Sequence, residues 1–396
     1  MAQLPDTAGL PAKPAFWNDP RIRAIVFQVL VTAGVIAVGV YLVRNLLHNL
    51  EVRGISTGFG FLSNRAGFAV NQSLVAFDES SSYGRTFVVG LLNTILVSAL
   101  GIVLATILGF VIGVARLSRN WLVSMLAAVY IETFRNIPLL LQILFWYFAV
   151  FLNLPSPSEA LSVGDTVFLT LRGLYLPRPV AEAGFAWTMF AFAAAVAGVL
   201  LLVRWSRRRQ ERTGEIFPAF LVSAALVIAL PLAVFLATGS PLGWVVPQLE
   251  GFNFTGGLSV IPELGALLMA LSIYTAAFIA ETVRAGILSV SHGQTEAANA
   301  LGLRRSWTLR LVIIPQAMRV TIPPLTSQYL NLTKNSSLAT AIGYPDLVSL
   351  FAGTTLNQTG QAVEVMAMTM AVYLTISLVI SLFMNWYNAR MALVER

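Results

Sequence analysis

The chain has no cysteine, so neither a disulfide framework nor a thiolate metal site can form. Histidine occurs only at His48 and His292, too few and too far apart to suggest a metal centre. Lysine occurs only at Lys13 and Lys334, and neither follows a glycine, so the phosphate-cradling G-x-x-x-x-G-K-[ST] loop is missing. The chain is therefore expected to be no enzyme and to lack an ATPase site of its own. Charge is scarce too, at 11% of residues, where a soluble domain carries roughly 25%.

Hydrophobic residues make up 57% instead. Apolar runs long enough to cross hydrocarbon, about 20 residues each, recur at roughly 24–43, 87–115, 136–152, 186–203, 216–238, 264–284, 320–343 and 365–388. The pattern predicts an all-α integral membrane protein of about eight transmembrane helices. The first run is too long for a signal-peptide core and lacks a small-x-small cleavage site, so it reads as a retained helix. The net charge of +7 is explained by arginines at the ends of the runs rather than by a nucleic-acid partner. Placing the N-terminus in the cytoplasm puts 18 of the 25 basic residues inside, six outside and Lys334 within a span. Both termini are then cytoplasmic.

Residues 1–23 read as a proline-punctuated cytoplasmic tail, 24–43 as the first transmembrane helix, and 44–86 as a periplasmic segment with Phe59, Phe61, Phe68 and Phe77. Residues 87–390 form the main transmembrane domain. Within it, 153–262 reads as an insertion of two spans flanked by external loops, with the basic turn Arg204–Arg212 between them. A pair of spans leaves the orientation of everything downstream unchanged.

Three patterns inside the spans bear on function. Gly101, Ala105, Gly109 and Gly113 recur every fourth residue, building a flat helical face for close packing. Glu132 and Arg135, like Glu281 and Arg284, are three apart and so neighbours on a helix; they are either plain interfacial ion pairs or braces of a gate. The run 320–343 is unusually polar. Ser327, Asn331 and Lys334 share one helical face, flanked by Gln328 and Asn335. A lysine near a helix centre costs roughly 2.5–3.5 kcal/mol on insertion scales, so this face meets a cavity, a partner or a carboxylate and not lipid. It either lines a translocation path, with Lys334 available to a substrate carboxylate, or forms a structural or subunit-interface hydrogen-bond cluster.

The most specific signal lies between the sixth and seventh runs. Glu296, Ala297 and Ala298 are followed by Gly302, Arg304, Arg305, Arg310 and then Ile314-Pro315. Ser291 and Gln294 have capping-box spacing, and Gly302 is placed to stop the helix. A compact capped helix in a loop between spans is a part made to be gripped from outside the bilayer.

Glu296-Ala297-Ala298-x3-Gly302-x9-Val312-x-Ile314-Pro315 resembles the EAA loop of ABC importer permeases, with Val312 and Ile314 replacing the usual Ile and Leu. Runs two, three, six, seven and eight resemble the five-helix core of polar amino acid permeases of that class. The enlarged chain resembles most closely the Q-type permease of general L-amino acid uptake systems. The resemblance implies a type I ABC importer core of five helices, plus an N-terminal helix and an inserted helical pair. It implies a permease subunit moving L-amino acids across a bacterial inner membrane. Separate ATPase subunits would couple through Glu296, Ala297, Ala298, Gly302, Arg304, Arg305 and Pro315. ATP would be used by those partners, with no cofactor on this chain. A second, related permease and a periplasmic amino-acid-binding protein complete the implied assembly. Lys334-Asn-Ser-Ser-Leu also resembles a Lys-Asn-Thr-Ser-Leu pattern shared by such permeases of varied substrates, which favours a structural Lys334. The alternative is an ion-gradient-driven secondary amino acid transporter; against it, span interiors offer little carboxylate beyond Glu281 and Glu132.

Overall fold

The computed structural model describes residues 20–52, 54 and 57–391. The tail up to residue 19 with Lys13, together with Arg53 and Arg396, lies outside the described residues. The helices are α1 (Pro20–Val52), α2 (Tyr83–Arg116), α3 (Trp121–Asn136), α4 (Leu139–Leu144), α5 (Phe185–Thr213), α6 (Ala219–Ala237), α7 (Pro262–Leu288), α8 (His292–Ala300), α9 (Arg305–Thr308), α10 (Ile314–Asn335), α11 (Leu356–Thr359) and α12 (Ala362–Met391). The molecule is mostly helical and multi-pass: α1, α2, α5, α6, α7 and α12 are each long and apolar enough to cross a membrane.

The third expected span is a broken one. It begins earlier than expected, at Trp121, and turns by 104° before continuing over 139–153. The cause is Pro138. Ile137 before it adopts extended angles, φ −92° and ψ 126°, as pre-proline residues prefer. Gln142 repairs the break: its amide donates to the carbonyls of Phe134 (3.1 Å) and Ile137 (3.0 Å), which the interrupted helix leaves free. The seventh expected span also ends early. α10 stops at Asn335, and a 3-10 turn carries Ser336–Ile342 before the chain folds back through a π-helical stretch at Val348–Thr355.

The small face of α2 lies along α7. A side chain at Gly109 would come within 2.6 Å of Ile279, and one at Gly113 within 2.7 Å of the Ala280 carbonyl. Ala105 is fully buried, and Gly101 abuts Leu332 of α10. Apolar burial offers little drive between helices in lipid, so such close backbone approach is what binds them. Leu267, Leu271, Ile279, Ile322 and Leu332 fill the centre of this core.

Strands, which the apolar runs do not foreshadow, occupy both external loops of 153–262. They are β1 (Leu161–Val163), β2 (Val167–Thr170), β3 (Gly173–Leu176), β4 (Arg178–Ala181), β5 (Leu242–Val245), β6 (Gln248–Glu250), β7 (Asn253–Thr255) and β8 (Leu258–Val260). The antiparallel order β1-β2-β3-β8 joins the first loop to the second, through Leu174↔Val260 and Leu176↔Leu258. β4 pairs with β5 up to Ala181↔Leu242. The α5–α6 hairpin therefore leaves and returns through a stitched neck. The segment before α2 is tied to the same end of the bundle: Phe61 packs on Tyr83 and Phe351, Phe68 on Phe77, and the Gly58 N–H donates to Glu364.

Candidate functional site

At the opposite end of the bundle, α8 stands between α7 and α9. Its termination is built by Gly302, whose φ of +70° suits glycine. The Gly302 N–H donates to the Asn299 carbonyl (2.9 Å) and the Leu303 N–H to that of Ala298 (3.1 Å), the two bonds of a Schellman ending. The start differs from the capping-box expectation: the Ser291 side chain makes no cap hydrogen bond. The Gln294 N–H donates to the Ser291 carbonyl (3.0 Å) and not to its hydroxyl, while the Gln294 side-chain oxygen accepts from the Gln316 side-chain amide of α10 at 3.2 Å. That bond ties α8 directly to α10.

Ala298 is buried against the bundle, while Glu296 and Ala297 are exposed. Glu296 lies 3.0 Å from the His292 ring nitrogen, one turn before it. Arg304 caps α9 and Arg305 opens it; the helix continues without a break through the π-helical turn Leu309–Ile313 into α10, and Pro315 lies just after that turn, where the widened backbone accommodates its missing N–H. Among the described residues, Arg304, Arg305 and Arg310 form no ion pair.

The two Glu–Arg motifs diverge. Arg284 holds Glu281 through two bonds, 2.6 and 2.9 Å. Glu132 and Arg135 form no ion pair with each other; the Arg135 guanidinium lies instead 5.2 Å from the Phe278 ring centroid on α7. Spacing alone treats the motifs as equivalent, but Phe278 competes for the second arginine.

α10, where a seventh span was expected, is amphipathic and too polar to be among the described helices that are long and apolar enough to cross a membrane. Thr321, Ile322, Leu325 and Leu332 are buried, whereas Ser327, Asn331 and Lys334 share an exposed face with Pro323 and Pro324. Gln328 and Asn335 are half-buried at its edge. Among the described residues, none of these five polar side chains has a hydrogen bond or ion pair. Unpaired polar groups cannot face lipid cheaply, so this face is not a lipid-facing one.

A second polar cluster escapes sequence reasoning. The Asn93 amide donates to the carbonyls of Pro345 (2.8 Å) and Gln72 (3.0 Å), and the Leu347 N–H donates to the Thr94 hydroxyl (3.0 Å). Asp346, fully buried, accepts from the Ser349 N–H at 2.8 Å and faces the Tyr373 hydroxyl. α2, α12, the external segment and the 343–347 bend thus meet at one node. Asn93 and Thr94 inside an apolar run, and one aspartate between spans, were its only sequence signals.

The chain is thus a multi-pass helical protein with a stiffly capped loop at one end of its bundle and a bare polar face on α10. Residues 101–393 match the family of the binding-protein-dependent transport system inner membrane component, and the chain belongs to that family. It is 56% identical over 96% of both chains to the putative amino-acid ABC transporter permease protein YhdX of Escherichia coli (strain K12). It is 50% identical, over 96% of this chain and 94% of the relative, to the general L-amino acid transport system permease protein AapQ of Rhizobium johnstonii. Over the full length of both chains it is 44% identical to the glutamate/glutamine/aspartate/asparagine transport system permease protein BztB of Rhodobacter capsulatus.

Proposed function

We propose that this chain is the permease subunit of an ATP-driven importer that carries L-amino acids across a bacterial inner membrane, with both termini in the cytoplasm. The observation that carries the proposal is α8, a helix closed by its own Schellman ending and bonded to α10 through Gln294 and Gln316. A separate ATPase grips the exposed side of α8, around Glu296 and Ala297. Closure of the ATPase dimer moves α8, and the Gln294–Gln316 bond with the α9–Pro315 connection passes that movement to α10. The bare face of α10, with Ser327, Asn331 and Lys334, meets a second, related permease across the translocation path. The Glu281–Arg284 pair and Arg135 brace the ATPase-side end of α7. A soluble amino-acid-binding protein docks at the other end, where the stitched strands stand. All three relatives are named as amino-acid permeases, which supports the substrate class. Nothing in the fold or the relatives favours the ion-gradient-driven alternative.

The test is uptake of a radiolabelled amino-acid mixture by proteoliposomes holding the reconstituted assembly and its binding protein. Uptake should require ATP on the ATPase side and persist when ion gradients are collapsed. Uptake that follows a proton or sodium gradient without ATP would overturn the proposal.

A further inference from the structure

Beside α8 a cavity of about 570 Å³ opens among the α2–α3 turn, the end of α7, and α9. Its lining has two halves. Arg119 and Arg305, with Ser291, Thr295 and Asn299, form a cationic, hydrogen-bonding half; Ile287, Leu288, Leu309 and Ile313 form an apolar one. No carboxylate lines it, and among the described residues neither guanidinium has an ion pair or side-chain hydrogen bond. Both arginines are exposed at the cavity and unpaired there, so they can donate charge-assisted hydrogen bonds to an anion. The cavity also stands where two helices long and apolar enough to cross a membrane end, α2 at Arg116 and α7 at Leu288, and the exposed Trp307 follows Arg305 by two residues on α9. Tryptophan and arginine at such a level mark the headgroup region of a bilayer.

We propose that this cavity binds an anionic phospholipid, its phosphate between Arg119 and Arg305 and the first part of an acyl chain against Ile287, Leu309 and Ile313. A free anion would use the cationic half and leave the apolar half bare, which is why a lipid is the occupant. On α8 the lipid covers the stripe of His292, Thr295 and Asn299, spaced i, i+3 and i+7. Glu296, held 3.0 Å from the His292 ring, sits where that stripe meets the side with Gly293 and Ala297, so the lipid and the partner grip proposed above are neighbours on α8. The bound lipid anchors α8 to the α2–α3 turn.

The absence of native cysteine makes the test direct. Ser306→Cys, exposed beside Arg305, carries a single fluorophore in the full chain, purified with its partners into nanodiscs of mixed phosphatidylglycerol and phosphatidylcholine. Brominated phosphatidylglycerol should quench it, and brominated phosphatidylcholine at equal content should not. Each arginine near an anionic headgroup contributes roughly fivefold in affinity, so Arg119→Gln with Arg305→Gln should weaken the lipid's hold roughly thirtyfold. Arg207→Gln with Arg208→Gln, in the distant basic turn, should change nothing. Equal quenching by both lipids in the arginine-intact protein would overturn the proposal whether or not the double variant folds. Relief of quenching by millimolar inorganic phosphate would also overturn it, because the site would then take a free anion.

Discussion

Single residues set how closely the helices approach. At Gly109 and Gly113 the α7 backbone and the Ile279 and Val283 side chains occupy the space a side chain would need. Gly109→Leu should therefore force α2 off α7 and cost roughly 1–3 kcal/mol, as overpacking does. The expected readout is a lower midpoint for heat-induced loss of the monodisperse peak in detergent, with Val111→Leu on the exposed face of α2 unchanged. Asp346 makes a different prediction. Its carboxylate satisfies the Ser349 N–H at the start of a π-helical stretch, a capping role worth about 1 kcal/mol. Asp346→Ala should lower the same midpoint, and Asp346→Asn, which keeps an acceptor, should recover most of it. Equal losses in the two variants would mean that charge and not capping is what the node uses.

At the scale of elements, the stitched neck makes the α5–α6 hairpin removable. Ala181 and Leu242 are direct partners at the end of an antiparallel ladder, and the Glu182 N–H donates to the Pro241 carbonyl at 3.1 Å. Replacing residues 182–241 with an Asn-Gly turn, the preferred two-residue hairpin link, should delete both helices. The remaining chain should insert and purify as a single species; aggregation would show that α5 and α6 support the core. The hairpin was legible from its apolar runs, but its neck was not. Strands such as Leu161–Val163 or Leu258–Val260 are three residues long and show too little alternation to be read before their partner is known. The expected span began at 136 because Glu132 and Arg135 break the apolar run, although their spacing of three already marks a helix and Pro138 a bend; the structure extends that helix back to Trp121 and hinges it at Pro138. The stop at Gly302 was readable because it is local. The node at Asp346 was not, because Leu347 meets Thr94 across 253 residues of sequence.

The whole molecule has two working ends and an incomplete middle. Strands and the Phe61 packing cluster lie at one end, α8 and the arginine-rich turns lie at the other, and α10 between them shows an unpaired polar face. That face, legible in sequence as Ser327, Asn331 and Lys334, gains its meaning only when the structure shows that none of the other described residues covers it. The function proposed above gives each a role: a docking end, a face shared with a second subunit, and a handle for the motor. The handle is the central claim. The most direct test is to tag the full chain, purify it in mild detergent with its partners, and compare wild type with Glu296→Lys. The expected result is an ATPase subunit recovered with wild type and lost from Glu296→Lys, while membrane content and elution volume stay the same. An ATPase retained in full by the variant, or absent from wild type, would contradict the assignment of α8 as the coupling contact.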